Sequence, residues 1–461
     1  MNGATHFIGI GGTGLSAIAR VLLERGQAVT GSDREDSPLA QALRRAGATV
    51  HIGHAAGNVN GAAQVVRSSA VGDDNVEVQA AHAKGVPVYK RADFLGQLLA
   101  EQQVIGVAGS HGKTTTTAML AWVFTALNQR PGYIIGSPAA NLGSNAAAGA
   151  GRWFVVEADE YDYMFLGLAP QLALVTNVEH DHPDMFPTPD SFMQAFQKFV
   201  ERIQPGGMLL ACADDPGARA LGDYAQSRGL ETRYYAYSHE ADYSAQQLVS
   251  QEGLGYRFEA MYRGELLAPV SLQVPGLHNA QNALGALAAA HALGLDPAEA
   301  ALALADFRGT SRRFELRGEV GGVLVVDDYA HHPAEIRSTL AAAKARYPGR
   351  RLVAVWQPHT YSRTGALREQ YAVTFGDADQ VLVTDVYAAR EQSPPGFDLD
   401  AIVGAVQHPA VEWAGDLDAT QARLESSLQP GDVLLIMSAG DAILLSERIF
   451  RQLQEKESKH A

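Results

Sequence analysis

A glycine-rich loop that ends in a lysine and two threonines carries the most specific chemistry in this sequence. It reads Gly109-Ser110-His111-Gly112-Lys113-Thr114-Thr115. In such loops the backbone N–H groups cradle phosphates, the lysine neutralises β- and γ-phosphate oxygens, and the first threonine hydroxyl reaches Mg²⁺. Val107 stands where the strict spacing requires a glycine, so the match is to a variant of the motif. The loop predicts a nucleoside triphosphate site, and the alternative is a solvated lysine after a glycine turn.

The N-terminal segment contains another glycine-rich loop, the first along the chain, so that the loop at 109–115 is the second. It reads Gly9-Ile10-Gly11-Gly12-Thr13-Gly14 and matches the G-x-G-x-x-G pattern. It follows an apolar run and precedes a helical pattern, where glycines let an anion approach the helix N-terminus closely. Asp33 lies about 20 residues further on, where dinucleotide sites carry a ribose-binding acid. The spacing predicts a nucleotide or dinucleotide site, NAD included. A glycine turn that only packs strand against helix is the alternative.

Acidic residues and histidines follow two further apolar runs. Glu157 ends the run at 154–157 and is the preferred Mg²⁺ ligand, because carboxylates at the carboxyl ends of parallel strands face the ligand crevice. The run at 172–176 leads into a segment that contains His180 and His182. Two histidines could indicate zinc, but no cysteine accompanies them. Either histidine could also be purely structural.

Three polar clusters mark the last third of the chain. They are Ser311-Arg312-Arg313-Phe314, Asp327-Asp328-Tyr329-Ala330-His331-His332-Pro333 and Gln357-Pro358-His359-Thr360-Tyr361-Ser362-Arg363-Thr364. The second and third follow apolar runs, which is where an open α/β sheet builds a site. Arginine suits carboxylates and phosphates because its planar fork matches their geometry. The alternative is a set of surface loops with incidental charge.

Short apolar runs that alternate with helical patterns position these residues, and this alternation is typical of α/β domains with parallel sheets. At about 150 residues per domain, the length of 461 residues indicates roughly three domains. We predict domains at 1–101, 102–309 and 310–461. The predicted strands are 6–10, 28–32 and 64–68 in the first; 104–108, 154–157, 172–176 and 208–211, with a β-rich insertion at 234–258, in the second; and 323–327, 352–356, 381–384 and 433–437 in the third.

Composition narrows the class of protein. The 36 lysines and arginines against 51 aspartates and glutamates give a net charge of −15, which disfavours a general binder of nucleic acid or of membrane surfaces. The hydrophobic fraction of 46% is that of a folded protein. The single cysteine, Cys212, fits a reducing cytosol. We see no signal-peptide pattern and no apolar run long enough to span a membrane.

Taken together and in this order, the segments resemble the Mur ligases, the ATP-dependent amide-forming enzymes of peptidoglycan synthesis. The resemblance also rests on Ser68-Ser69-Ala70, on Glu157 to Asp162, on Thr176 to His182 and on Gly276-Leu277-His278-Asn279 with Asn282. It covers nearly the whole chain. It implies a Rossmann-like N-terminal domain for a UDP-linked substrate, a central P-loop ATPase domain and a C-terminal α/β domain for the amino acid.

The resemblance also implies site residues, ATP and Mg²⁺ as cofactors, and UDP-N-acetylmuramate and L-alanine as substrates. The implied substrate-binding residues are Gly11, Gly12, Thr13, Gly14, Asp33, His54, Ser68, Ser69, Tyr329, His331, His359 and Arg363. The implied ATP-binding residues are Gly109, His111, Gly112, Lys113, Thr114, Thr115, Asn279, Asn282, Arg313 and Asp328. Thr114, Glu157 and His182 would bind the metal. Lys113, Glu157, His182, Arg313 and His331 would be catalytic, His331 as a candidate base for the amine.

Two alternatives stay open. Tyr161-Asp162-Tyr163 and Glu315-Leu316-Arg317-Gly318-Glu319 resemble the branch of the family that attaches a recycled tripeptide, whereas Gln357-Pro358-His359 with Arg363 resembles the alanine-adding branch. Thr360 stands where many alanine-adding members carry an arginine. A non-ligase protein that binds NAD at the first glycine loop is the more remote alternative. The sequence leaves the oligomeric state open.

Overall fold

Three β-sheets follow one another along the chain in the computed structural model, which describes residues 3–460. Met1, Asn2 and Ala461, which the predicted domain limits include, lie outside the described residues. The strands of the three sheets fall within residues 4–90, 103–271 and 315–437. The α/β class is confirmed, while the domain limits at 101 and 309 stay a prediction. No helix in the described part of the chain is long and apolar enough to cross a membrane.

The N-terminal sheet is parallel throughout, with strand order β3-β2-β1-β4-β5. The chain order reverses between β1 and β4, and such switch points open a crevice at the carboxyl ends of the strands. The first glycine loop lies there, directly after β1. The elements are β1 Ala4–Ile8, α1 Thr13–Glu24, β2 Val29–Asp33, α2 Pro38–Arg45, β3 Thr49–Ile52, β4 Ala62–Arg67, α3 Val76–Ala83, β5 Val88–Lys90 and α4 Arg91–Leu98.

The central sheet has ten strands in the order β15-β14-β13-β12-β11-β10-β6-β9-β7-β8. Its strands are β6 Gln103–Ala108, β7 Gly132–Ala139, β8 Ser144–Ala147, β9 Trp153–Glu157, β10 Leu172–Val175, β11 Met208–Cys212, β12 Glu231–Ala236, β13 Tyr243–Ser250, β14 Tyr256–Tyr262 and β15 Glu265–Ser271. Its helices are α5 Lys113–Ala126, α6 Pro189–Val200, α7 Pro216–Ser227, α8 Leu277–Ala292 and α9 Pro297–Ala305, with a 3₁₀ helix at Tyr161–Gly167.

The β-rich segment at 234–258, which we predicted as an insertion, is part of this sheet, so the prediction of a separate insertion was wrong. β13 pairs with β12 in parallel, and β14 and β15 then add antiparallel strands at the same edge. These strands alternate buried and exposed residues, so their pattern alone could not distinguish a separate hairpin from an extension of the sheet.

The C-terminal sheet has the order β16-β17-β21-β18-β19-β20, with β16 antiparallel and the other pairs parallel. Its strands are β16 Glu315–Val320, β17 Val323–Asp328, β18 Arg351–Trp356, β19 Gln380–Thr384, β20 Val411–Gly415 and β21 Asp432–Met437. Its helices are α10 Pro333–Arg346, α11 Tyr361–Ala366, α12 Arg368–Tyr371, α13 Leu399–Gly404, α14 Leu417–Ser427 and α15 Ile443–His460. Fully buried central strands explain the near-continuous apolar runs at β17, β18 and β21.

Candidate active site

The second glycine loop connects β6 to the N-terminus of α5 and is anchored on the residues that follow β10. Gly109 and Gly112 adopt positive φ angles of 140° and 79°. A Cβ at Gly109 would lie 2.0 Å from the Thr176 hydroxyl oxygen, so only glycine fits there. Thr176 donates to the carbonyl of His111 at 2.6 Å, and the Asn177 side chain accepts from the His111 N–H at 2.8 Å. The loop is therefore held in one shape at the start of a helix, which is the geometry of a phosphate site.

The ammonium of Lys113 lies inside this loop. It donates to the carbonyls of Gly109 and Ser110 and to the Glu160 carboxylate, the last at 3.0 Å. Burial lowers the pKa of Lys113, but Glu160 and Asp159 outweigh this effect and raise it above its ordinary value. The loop consequently contains a fixed positive charge.

Thr114 and Glu157 bring hard oxygen ligands together beside the loop. The Thr114 hydroxyl donates to Glu157 Oε1 at 3.0 Å, and the N–H of Gly136 donates to Glu157 Oε2 at 2.6 Å. Burial raises the pKa of Glu157, partly offset by Lys113. A hydroxyl and a carboxylate side by side fit Mg²⁺, which prefers oxygen ligands and retains several waters.

His182 faces the acidic residues Glu160 and Asp181, whereas His180 does not. His182 Nε2 lies 3.5 Å from Glu160 Oε1, and its backbone has a φ of 53°. Burial lowers the pKa of His182, but hydrogen bonding to Glu160 and the charge of Asp181 raise it overall. His180 instead bonds to the carbonyl of Phe186 at 2.7 Å and packs on Phe192, which is a structural role.

His111 connects the loop to the C-terminal domain. Its Nδ1 lies 3.1 Å from Glu335 Oε1 on α10, and its Nε2 lies 3.3 Å from Glu179 Oε2. Burial lowers its pKa, but these two carboxylates raise it to about 10. The potential ligand atoms of His111, Glu179 and His332 lie within 4.8 Å of one another, which is close enough for them to hold a cation. A protonated imidazole between two carboxylates is already a paired cation, so we assign no metal there.

Seven of the ten predicted ATP residues line one cleft between the central and C-terminal domains. Its wall includes His111, Gly112, Thr115, Asn279, Asn282, Arg313 and Asp328. Asn279 donates to the Pro275 carbonyl at 2.6 Å and accepts from Asn282 at 3.2 Å. Asp328 accepts from the N–H groups of Phe314 and Ala330, both at 2.7 Å, while burial raises its pKa to about 6. The structure thus brings these residues together with the phosphate loop.

Arg313 stands at the domain junction between two residues in the left-handed region. Arg312 and Phe314 have φ angles of 61° and 49°, which is uncommon for such side chains and concentrates at functional sites. Arg313 Nη1 lies 3.6 Å from Glu335 Oε1. Its guanidinium also lies 5.0 Å from the ring centre of Tyr329. The junction therefore directs an arginine into the cleft.

The predicted amino-acid residues meet at the interface with the central domain. Arg363 is 4% exposed, and its Nε and Nη2 donate to Asp181 Oδ1 at 3.0 and 2.9 Å. Its Nη1 contacts His359 Nδ1 at 3.0 Å. The ring centres of His331 and His359 lie 5.5 Å apart, and those of Tyr329 and His331 also 5.5 Å apart. Burial lowers the pKa of His331 to about 3 and that of His359 to about 4, so both are neutral.

The predicted uridine-side residues surround a separate cleft at the switch point of the N-terminal sheet. Its wall includes Gly11, Gly12, Asp33, His54 and Ser68. Asp33 Oδ2 accepts from the N–H of Gly11 at 2.7 Å, which ties its carboxylate to the glycine loop. Thr13 and Gly14 begin α1 at the loop, and Ser69 is exposed beside Ser68.

Several charged residues that the sequence motifs did not indicate connect the two clefts and the domains around them. Arg91 lies against Gly14, where a Cβ would be 2.4 Å from its Nη1, and donates to Asp159 of the central domain at 2.8 Å. Arg390 of the C-terminal domain lines the N-terminal cleft. Glu160, Asp181 and Glu335 complete the ion pairs around Lys113, Arg363 and His111. Position shortly after a predicted strand was the available signal for Glu160, whereas no predicted strand precedes Arg91 and no signal existed for Arg390.

Family models match almost the whole chain. A model described as Mur ligase family, catalytic domain, matches residues 4–103, the Mur ligase middle domain matches residues 107–290, and Mur ligase, glutamate ligase domain, matches residues 312–440.

Individual proteins of known name are also similar over nearly their full length. UDP-N-acetylmuramate--L-alanine ligase from Roseiflexus sp. (strain RS-1) is 43% identical, over 98% of this chain and 99% of that protein. The protein of the same name from Saccharopolyspora erythraea is 44% identical, over 98% and 93%. The crystal structure of UDP-N-acetylmuramate-alanine ligase from Thermotoga maritima aligns with a TM-score of 0.82 at 29% identity, over 98% of this chain and 100% of that one. A murein peptide ligase from Psychrobacter arcticus aligns with a TM-score of 0.72 at 27% identity, over 98% and 99%.

Proposed function

This chain belongs to the Mur ligase family, and we propose that it joins L-alanine to the lactyl carboxylate of UDP-N-acetylmuramate at the expense of ATP, in peptidoglycan precursor synthesis. The observation that carries this function is the 43% identity, over 98% of the chain, to a ligase of that name. An NAD-binding non-ligase protein leaves the phosphate loop and the C-terminal cluster unexplained. We propose a cytoplasmic location, in keeping with the one buried cysteine.

The first half of the reaction is the attack of the lactyl carboxylate on the γ-phosphoryl group of ATP, which gives an acyl phosphate and ADP. Two anions must approach each other, so positive charge at the transferred group governs the rate. We assign this charge to Lys113 within the loop and to Arg313, which the domain junction directs into the same cleft. We assign Asn279 and Asn282 to the adenine side and Asp328 to the ribose side of that cleft.

Thr114, Glu157 and His182 are the residues that we propose to hold Mg²⁺, which when bound would neutralise phosphate charge. Thr114 and Glu157 are in contact, and His182 faces Glu160 within the same acidic group. Glu160 already pairs with Lys113. With Glu160 paired to Lys113, Glu157 remains as the carboxylate for the metal.

The second half is the attack of the neutral alanine amine on the acyl phosphate. We propose that Tyr329, His331, His359 and Arg363 shape the amino-acid side. His331 Nδ1 contacts the Tyr329 carbonyl at 3.0 Å, so in the neutral ring Nδ1 donates and Nε2 can accept from the amine. A pKa of about 3 makes His331 a weak base, so accepting a hydrogen bond suits it better than retaining the proton. Arg363 is already bonded to Asp181, which favours a role in shaping the pocket.

We propose that the N-terminal domain, residues 1–101, holds the uridine diphosphate through Gly11, Gly12, Thr13, Gly14, Asp33, His54, Ser68 and Ser69. Residues 102–309 bind ATP, and residues 310–461 bind the amino acid. Arg91 links the N-terminal glycine loop to the acids of the central domain through Asp159. That contact orients the substrate cleft toward the phosphate loop.

A second candidate function is attachment of a recycled tripeptide, favoured by Tyr161-Asp162-Tyr163. Tyr161 contacts His182 at a ring distance of 5.0 Å, and its hydroxyl donates to Asp184 at 3.1 Å, so this segment lies beside the proposed metal site. The likeness to a murein peptide ligase at a TM-score of 0.72 is lower than that to the alanine ligase at 0.82.

Phosphate release with UDP-N-acetylmuramate, ATP and either L-alanine or the tripeptide separates the two. We expect turnover with L-alanine and little with the tripeptide. Turnover with the tripeptide alone would replace the first proposal by the second. Phosphate release without any amino acceptor would contradict both, because ATP hydrolysis must be coupled to amide formation.

A further inference from the structure

A buried carboxylate in the N-terminal domain, Glu77, lies behind the uridine-side cleft. It belongs to the first turn of α3 and is 0% exposed. Its Oε1 accepts from the N–H of Ala55 at 3.1 Å and from the Asn58 amide at 2.6 Å, and its Oε2 accepts from the Ser32 hydroxyl at 2.5 Å. A buried carboxylate is tolerated only with such a set of donors. His6 Nε2 also lies 3.4 Å from Oε2. Burial opposes ionisation, but the hydrogen bonds from His6, Ser32, Asn58 and Ala55 lower the pKa of Glu77 to about 2, so it is an acceptor only.

The Oε1 bonds fix the loop that carries His54. This loop follows β3 through Gly53, whose φ is 86° and whose N–H donates to the Asp33 carbonyl at 2.7 Å. Asn58 closes the loop by donating to the carbonyl of Gly53 at 3.2 Å as well as to Glu77. His54 consequently lies on the wall of the cleft that contains the N-terminal glycine loop.

The Oε2 bond decides which nitrogen of His54 carries a proton. Ser32 is fully buried, and its oxygen lies 2.5 Å from Glu77 and 3.0 Å from His54 Nδ1. A hydroxyl has one proton, and an ionised carboxylate cannot donate, so Ser32 must donate to Glu77. The contact with His54 then requires His54 Nδ1–H to donate to Ser32. In the neutral ring, Nε2 is left as an acceptor, and it makes no hydrogen bond within residues 3–460.

We propose that Glu77 and Ser32 are positioning residues that hold His54 as its Nδ1–H tautomer, so that Nε2 accepts a hydrogen bond from an N–H or O–H donor of the uridine moiety. This inference rests on the proposed UDP-linked substrate. Uracil offers its N3–H and the ribose offers hydroxyls, whereas cytosine has no N3–H. A histidine fixed in this tautomer favours uracil over cytosine if the base is the partner.

Long-range ¹⁵N–¹H correlation spectra of the full chain, labelled at histidine, test the tautomer directly. The signal is assigned by its loss in His54→Phe. We expect a protonated Nδ1 and an unprotonated Nε2 in the wild-type protein, and a mixture of tautomers in Ser32→Ala. An Nε2–H tautomer in the wild-type protein overturns the inference. An unchanged signal in Ser32→Ala overturns the role of Ser32, because Glu77 Oε2, which lies 3.5 Å from His54 Nδ1, would then hold the tautomer alone.

Calorimetric titration with UDP tests the consequence for binding. We expect Ser32→Ala and His54→Phe to weaken UDP binding about three- to tenfold, the range of one hydrogen bond. The KM for UDP-N-acetylmuramate should rise by a similar factor with kcat unchanged. The matched control is His82→Gln, an exposed histidine on the same helix as Glu77, which should bind UDP like the wild type.

Two further nucleotides locate the donor. If His54→Phe weakens the binding of UDP but not that of CDP, the donor belongs to the base. If His54→Phe weakens the binding of UDP but not that of 2′-deoxy-UDP, the donor belongs to the ribose. Both results support the inference. Wild-type UDP affinity in both variants overturns it while leaving the proposed function intact. Failure of the wild-type protein to bind UDP removes the proposed function instead.

Discussion

In the proposed function, Lys113 is the side chain on which the phosphate chemistry depends most directly. Its ammonium is fixed by the carbonyl of Ser110 at 3.1 Å and by the Glu160 carboxylate at 3.0 Å. Because Glu160 and Asp159 raise its pKa in spite of burial, the side chain stays charged throughout the neutral range. A charge held in place before the reaction needs no reorganisation when the phosphoryl group moves.

Replacing Lys113 tests whether the ATP-side cleft and the UDP-side cleft are separate sites. We expect Lys113→Ala to lower ATP-dependent phosphate release at least about a hundredfold, because a positioned charge at the transferred group is lost. UDP binding by calorimetry should stay within about twofold of the wild type. The control is Lys198→Ala, an exposed lysine of the same domain, which should retain activity. A collapse of UDP affinity in Lys113→Ala would contradict the assignment of separate clefts.

Asn282 combines a contact with the loop and a bond within the adenine-side pair. Its amide donates to Asn279 at 3.2 Å, and a Cβ at Gly112 would lie 2.8 Å from its Oδ1. We expect Asn282→Ala to raise the KM for ATP about three- to tenfold, the effect of one lost hydrogen bond, with a smaller change in the KM for alanine. Steady-state kinetics against each substrate measure the split. Gln246→Ala, an exposed amide of the same domain, is the control; an equal rise in both KM values would argue against an ATP-side role.

The turn between β6 and α5 is the element that builds the proposed phosphate site at the carboxyl end of an interior strand. Gly109 and Gly112 both adopt positive φ angles, and the close approach of the turn to Thr176 and Asn177 leaves no room for a side chain at Gly109. The shape of the turn is thus set by β10 as well as by the loop's own residues. A defect in the turn should therefore affect both stability and ATP binding.

Alanine at Gly109 tests this coupling. Gly109→Ala should destabilise the protein by about 2 kcal/mol or more, since backbone strain and a contact with Thr176 add together, and should lower Tm by several degrees. ATP binding should be lost. The control is Gly206→Ala, at a positive φ of 77° in the same domain with no atom within 4 Å, which should show the strain alone and bind ATP normally. Equal thermal shifts in the two variants would show that the contact with Thr176 is unimportant.

Buried parallel strands could be predicted from the sequence because their signal is local. The runs at β6, β9, β17 and β18 are apolar and end at a glycine, an acid or a polar residue, so their predicted limits differ from the observed ones by a residue or so. Edge strands were missed, as for β3, whose residues are part-buried or exposed. Their pairing depends on the neighbouring strand, which no local pattern reports.

The site residues also fall into two groups, those that a local pattern indicates and those that only tertiary contacts reveal. The loop around Lys113 and the acid Glu157 follow strands directly, so spacing indicated them, and the structure brings them into one cluster. Asp181 and Glu335 act through partners 182 and 224 residues away in the chain, Arg363 and His111 respectively. Glu77 lies within a helix and reaches Ser32 across 45 residues. Contacts of this kind depend on tertiary packing and leave no periodic pattern.

The whole molecule arranges the two clefts that we propose for nucleotides around a shared group of acids, with the C-terminal domain covering the glycine loop at 109–115. Four ion pairs join the domains within residues 3–460: Arg91 with Asp159, Lys90 with Asp162, Arg363 with Asp181, and His111 with Glu335. Closure of this kind protects an acyl phosphate from water. Of these pairs, the one with His111 has a partner whose charge can be changed within an accessible range of pH.

Docking of the C-terminal domain should weaken as the pH rises above neutrality. Glu335 on α10 and Glu179 after β10 face His111 and raise its pKa from 6.5 to about 10, while the adjacent His332 has a pKa of about 4 and stays neutral. The docked form therefore binds a proton that the undocked form releases. Because Glu179 belongs to the central domain and stays beside His111 when the C-terminal domain undocks, only Glu335 contributes to this difference. The contribution of Glu335 is lost as the pH rises toward 10, and one linked proton lowers the docking equilibrium constant by up to tenfold per pH unit between the undocked and docked pKa values.

Small-angle scattering across this pH range measures the effect as a change in the radius of gyration. We expect the wild-type value to increase between pH 7 and about 10 as the open form becomes populated. His111→Gln cannot bind the proton, so its radius should already be larger at pH 7 and should vary little. Glu335→Gln, which removes the facing carboxylate and lowers the pKa of His111, should move the transition to lower pH. A wild-type radius that is constant to pH 10, or a His111→Gln profile as steep as that of the wild type, would show that another contact controls docking.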